Sequence, residues 1–200
     1  LEISVHFEMA GTRLRLVGYS GLTTDARGGY LGNTFAPGWD RRIPLACPGA
    51  DSEGGSWLGA RVPRFYHALR PVLEEALRQE GYEGPVGIDA MAYRDASGRC
   101  RWKPVVEMNP RYTMGRLTLA LAERVMPGRY GRFQLFRRSD LRRTGHPGFA
   151  EWASDLRSRR PVVLEGEPVP RLSEGALCLN DPETAKACVA VLTVDPRPGE

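Results

Sequence analysis

The chain has no apolar run approaching the roughly 20 residues that a membrane helix needs. It also shows no basic, then apolar, then small-residue leader. The compartment expected from these two absences is the cytoplasm. No C-x-x-C pair occurs: Cys47, Cys100, Cys178 and Cys188 are scattered, and so are His6, His67 and His146. Zinc and disulfide frameworks are therefore disfavoured, and four reduced structural thiols are expected. No Ser/His/Asp or Cys/His constellation is present. Lysine is nearly missing. Lys103 and Lys186 are the two, so the net charge of +4 rests on arginine. The surplus lies between Arg124 and Arg160, without a reader motif for nucleic acid, and nucleic acid is disfavoured as a partner.

What is present suffices for one sizeable core, with 42% hydrophobic and 26% charged residues in 200. Ile3, Val5, Phe7 and Met9 alternate with Ser4, His6 and Glu8, which is the period of a half-buried strand. Leu14 and Leu16 continue it as the partner arm of a hairpin ending near Tyr19. From Gly21 to Ser56 glycine and proline are dense and no period survives, so an ordered loop beside a ligand is expected. Within it, Gly28–Asn33 ("GGYLGN") reads either as a loop closing over phosphates or substrate, or as a plain glycine turn.

Phe65, Leu69, Val72, Leu73, Ala76 and Leu77 have helical spacing. Pro71 should kink this helix or open a fresh first turn, and Gly81 should end it. A second hairpin follows, with Val86–Tyr93 and Trp102–Asn109 as its arms. A turn centred on Gly98 places Asp89 opposite Glu107. The next helix should run from about Gly115 to Arg124. After it come a strand over Phe133–Phe136, a short helix in "SDLRRTG" capped by Ser139, a helix over Phe149–Leu156 and a strand in "RPVVLEG". Asp181 and Pro182 carry a helix-start signal. Tyr112, Met114, Phe149 and Trp152 are expected in the core.

The chemistry lies in "VVEMNPRYTMG". Glu107 and Asn109 alternate on one strand face, and Asp89 adds a third oxygen from the neighbouring strand. Two opposed acids repel, and a cation between them relieves that repulsion. Magnesium prefers such oxygen donors together with substrate phosphates. Arg111, two positions on, has the reach to contact a phosphate or a developing oxyanion.

"GYEGPVGIDAMAY" followed by "KPVVEMNPRYTMG" resembles the carboxy-terminal half of an ATP-grasp ligase. The opening hairpin is similar to the paired strands that precede this block in that family. The resemblance covers Leu1 to Val125, and its specific part is about thirty residues long. It implies an α+β fold: an ATP-grasp-like antiparallel sheet with flanking helices, plus a small α/β carboxy-terminal extension. It implies residues 1–125 as part of the ATP-grasp domain, with the metal-binding hairpin at 86–111, and residues 126–200 as the extension. It implies Asp89, Glu107 and Asn109 as ligands of Mg2+ or Mn2+. Glu107, Asn109 and Arg111 would contact ATP, the co-substrate, and Arg111 would act on the phosphate or acyl phosphate.

The activity implied is Mg-ATP-dependent joining of a small-molecule or peptide carboxylate to an amine through an acyl phosphate. The family's phosphate-binding lysines and adenine hinge precede the hairpin, so the chain is expected to be a fragment of the whole ligase, opening at Leu1 rather than at Met. The alternative is a non-catalytic module of the same fold that binds a partner protein or an anionic ligand. No membrane partner is expected, and a homo-oligomer is left open.

Overall fold

The computed structural model describes residues 1–25, 27–36 and 55–196. Most of the expected Gly21–Ser56 loop lies outside the described residues. The chain is α+β, and its described strands pair antiparallel, apart from one isolated parallel bridge between Val125 and Leu172. It divides into two compact units, Leu1–Leu22 with Gly38–Leu119, and Thr23–Pro37 with Ala120–Glu200.

The first unit holds β1 (Glu2–Ala10), most of β2 (Arg13–Thr24), β4 (Gly84–Arg94) and β5 (Cys100–Asn109), in the order β5-β4-β1-β2. Helix α1 (Gly55–Gln79) supplies its core. Val62, Tyr66, Leu73 and Leu77 fall at helical spacings of four, seven and four, with half-buried Leu69 between, and the four are buried against Ile3, Val5, Phe7, Met9, Val86, Ile88 and Ala90. Each large side chain buried this fully contributes about 1.5–3 kcal/mol.

Val72, expected on this face, is 66% exposed, because it lies one residue off the stripe. The helix runs through Pro63 and Pro71 without restarting; each proline removes only one ladder bond. Gly81 ends it as expected, with φ of 62°. The Tyr82 N–H then donates to Leu77 O at 2.9 Å.

The opposite face of this sheet is polar. Ser4, His6 and Ser20 are buried there, under the start of α2 (Met114–Ala122). That helix begins one residue before its expected start and ends two residues before its expected end. Tyr112 and Met114 are 63% and 44% exposed, contrary to expectation, since they flank the turn into α2 rather than its packed side.

The second unit contains β3 (Tyr30–Phe35), β6 (Tyr130–Arg137), β7 (Val163–Glu165), β8 (Arg171–Cys178) and β9 (Cys188–Asp195), ordered β3-β6-β9-β8-β7. Helices α3 (Arg138–Thr144) and α4 (Phe149–Arg159) pack here, with Phe149 and Trp152 buried as expected and Trp152 stacked on Phe136 at 3.8 Å. Ser139 does not cap α3. Asp140 reaches back to the Arg137 N–H at 2.8 Å instead.

Asp181 organises one turn, accepting from the Glu183 N–H and the Thr184 hydroxyl, each at 3.0 Å, but no helix follows. The β-branched run after it, with Val189, Val191 and Val194 buried, makes β9 instead. "GGYLGN" divides in the same way. Gly28 and Gly29 close a turn on Asp25, and Tyr30 onward is β3.

Candidate functional site

The β4–β5 hairpin is set at its tip by Asp95. Its carboxylate accepts from Ser97 N–H and Oγ, Arg99 N–H and Arg101 Nε. The Ser97 and Arg101 bonds hold its carboxyl well below the usual range. Arg94 then pairs with Cys100 and Met91 with Lys103, a register centred on Ser97 rather than Gly98. Between Asp89 and Met91 the register shifts. Beyond the shift Asp89 faces Glu107, Ile88 faces Met108 and Gly87 faces Asn109. The expected pairing of Asp89 with Glu107 is therefore present, but a bulge produces it rather than the turn.

On its other side Asp89 pairs with Ser4 of β1, whose hydroxyl donates to Asp89 Oδ1. Asn109 Nδ2 donates to Asp89 Oδ2 at 3.2 Å. Arg111 Nη2 donates to Asn109 Oδ1 at 2.9 Å, and its backbone N–H to Asn109 O at 2.8 Å. All four expected site residues thus fall on one end of the hairpin. Asn109 is buried, Asp89 half-buried, and Glu107 and Arg111 exposed. Burial raises the Asp89 carboxyl above its ordinary pKa, and the nearby Glu107 charge pushes the same way. The Ser4 hydrogen bond and Arg111 oppose them.

Sequence reading left out the support beneath this cluster. His6 is 1% exposed, with Nε2 3.0 Å from Ser20 Oγ and Nδ1 3.5 Å from Thr113 Oγ1. Thr113 Oγ1 also accepts the Arg116 N–H at 3.2 Å, capping α2. A Cβ on Gly115 would stand 2.5 Å from His6 Nε2, so only glycine allows the helix so close. Thus His6 fixes the segment that follows Arg111. The alternation of Ser4, His6 and Glu8 marked this face as the one away from the core, but not as buried. Burial and the Arg116 charge hold His6 down at about 4, so it is neutral near pH 7.

The donor set suits a hard divalent cation by type: two carboxylates and a carboxamide, with Asp89 raised by burial first and by the Glu107 charge second. Among the described residues no group of three or more His, Cys, Asp or Glu side chains is placed to hold a metal ion, so Asn109 is needed as a donor. Its Oδ1 points to Arg111, and ligation requires its amide to turn.

No protein-family model matches the chain, and no curated protein matches it. Among solved structures it is similar to the biotin carboxylase domain of Hydrogenobacter thermophilus 2-oxoglutarate carboxylase, in complex with MgADP, ADP and bicarbonate. Identity is 10% and the TM-score 0.40, over 98% of this chain and 41% of that one. The biotin carboxylase domain of a single-chain bacterial carboxylase gives 12%, 0.38, 98% and 43%. These domains are ATP-grasp proteins. The chain spans about two fifths of their length. A likeness at this level carries no argument about ligand or chemistry. Among the described residues no helix is long and apolar enough to cross a membrane.

Proposed function

We propose that this chain carries the metal- and phosphate-binding part of an ATP-dependent carboxylate–amine ligase. The observation that supports this most is the pairing of Asp89 with Glu107, with Asn109 and Arg111 at the same strand end. In this reading Asp89, Glu107 and Asn109 hold Mg2+ or Mn2+, which supplies charge neutralisation along the ATP phosphates. Arg111 leaves Asn109 Oδ1 and turns its guanidinium to the transferred phosphoryl group. The substrate carboxylate oxygen attacks the γ-phosphorus and ADP departs. The amine nitrogen then attacks the acyl carbon, the C–O bond to phosphate breaks, and the amine loses a proton. The chain's residues position and neutralise; none is consumed.

A second reading is a non-catalytic module of this fold. It draws on the closed network in which Ser4, Asn109 and Arg111 already satisfy one another around Asp89.

Calorimetry with Mg-ADP on the protein as its host makes it separates the two. The ligase reading expects binding that Glu107→Gln and Asn109→Ala each weaken at least about tenfold, as loss of a metal-site group does. Variants that bind like the parent would overturn the metal assignment. A parent that binds no Mg-ADP would leave the non-catalytic reading ahead.

A further inference from the structure

At the bulge that brings Glu107 opposite Asp89, the core face of the sheet carries one buried contact. Tyr66 is 1% exposed, and its hydroxyl donates to Pro104 O at 2.6 Å. Pro104 lies within the stretch of β5 where the register shifts: three residues, Pro104 to Val106, stand against Ala90 alone. Proline has no N–H for the ladder, and in sheets it is confined to edges and bulges. β5 is the terminal strand of its unit's order. Tyr66 is held from all sides by rings. Its centroid is 5.3 Å from Phe65, 6.1 Å from Trp102, 6.3 Å from Tyr19 and 6.4 Å from Phe7. So a rigid donor on α1 meets the carbonyl of the residue that cannot take part in a regular ladder.

The consequence follows from the period of a strand. A slip of one residue would turn every side chain to the other face, whereas two extra residues keep the face and move the partner. Without the bulge, the register of Arg94 with Cys100 and Met91 with Lys103 continues down the hairpin. It then sets Asp89 against Val105 and Glu107 against Gly87. The face stays polar, but the two acids no longer oppose each other.

We propose that Tyr66 and Pro104 act as a register pin: the buried hydroxyl holds the β5 bulge, and the bulge places Glu107 and Asn109 beside Asp89. Tyr66 is then a positioning residue for a site it does not touch. The consequence for a bound cation rests on the metal reading given above; the consequence for strand register does not.

Cross-strand NMR contacts in the full chain test the pin directly. Tyr66→Phe keeps the ring and its aromatic neighbours and removes only the hydroxyl. The expected result is loss of the Asp89–Glu107 and Gly87–Asn109 contacts. Asp89–Val105 and Gly87–Glu107 contacts replace them, while Val5–Ile88 contacts between β1 and β4 persist. Retention of the Asp89–Glu107 contacts in folded Tyr66→Phe overturns the pin. Should that variant not fold, Pro104→Ala tests the proline's part of the pin: it restores a ladder N–H while the residue-104 carbonyl stays available to Tyr66, and an unchanged register in it overturns the pin as proposed.

Manganese titration followed by electron paramagnetic resonance adds the second readout. Parent binding, loss in Glu107→Gln and about a tenfold weakening in Tyr66→Phe are expected. A parent that does not bind, or a Glu107→Gln variant that binds as well, sinks the metal reading and leaves the register result standing.

Discussion

Asp89 combines burial with a like charge beside it. Burial, and with it Glu107, raise its pKa above the ordinary carboxylate range, and the Ser4 bond offsets only part of this. A carboxylate whose folded pKa is raised contributes stability that is fully present below its unfolded pKa. That stability is lost as pH rises through the folded value. In its ionised form Asp89 therefore opposes folding, and a neutral isostere should relieve it. Asp89→Asn keeps an acceptor for Ser4 and gives up the one for Asn109 Nδ2; with the charge gone it is still expected to melt higher than the parent at pH 7, by roughly 2–4 °C for each net kcal/mol regained. The gain should shrink as pH falls and the parent carboxyl takes up its proton. Millimolar Mg2+ should raise the melting temperature of the parent and leave that of the variant unmoved. A lower melting temperature for Asp89→Asn at pH 7 would mean that the carboxylate is stabilising as it stands.

At the scale of elements, the approach of α2 to β1 decides where Arg111 sits. Gly115 allows that approach, since a methyl group there meets His6 Nε2 at 2.5 Å and Ser20 Oγ at 2.8 Å. Both side chains are buried and hydrogen-bonded to each other, so neither can swing aside and the helix must move. Gly115→Ala is expected to cost about 1–3 kcal/mol in urea unfolding, the usual range for overpacking, and to weaken Mg-ADP binding as well. A stability equal to the parent's would mean that the helix start shifts freely and that His6 does not set it. Helices and hairpins of this kind were legible where one period ran long enough, as in β1 and α1. Register was legible only by coincidence. The turn centre was misplaced by one residue, the bulge added two, and Asp89 still met Glu107. Nothing local in "CRWKPVVEMN" announces that shift except Pro104, and its partner Tyr66 is 38 residues away in sequence. Asp181 shows the opposite failure. A sound capping signal opened a single turn, because the β-branched residues after it gained more by pairing with β6 and β8.

For the whole molecule, the polar type of the site was legible because it needs only residue kinds at alternate positions. The buried histidine beneath it was not, because burial of a polar side chain depends on what the fold lays over it. That histidine should leave its mark on global stability. His6 falls from 6.5 to about 4 on folding, with burial as the larger cause and Arg116 the lesser. A histidine with a lowered folded pKa is neutral in both states above pH 6.5, so it is neutral in its effect there. Between 6.5 and 4 the unfolded chain takes up a proton that the folded chain refuses, and stability falls as pH falls. Asp89 works in the opposite sense over an overlapping range, so the parent's curve alone is ambiguous. The difference between the parent and His6→Gln isolates the histidine. Measured by urea unfolding, the parent should lose about 3 kcal/mol relative to the variant between pH 7 and pH 4. Equal slopes in the two proteins would show that His6 is protonated in the folded state, and that the contact with Ser20 and Thr113 tolerates its charge.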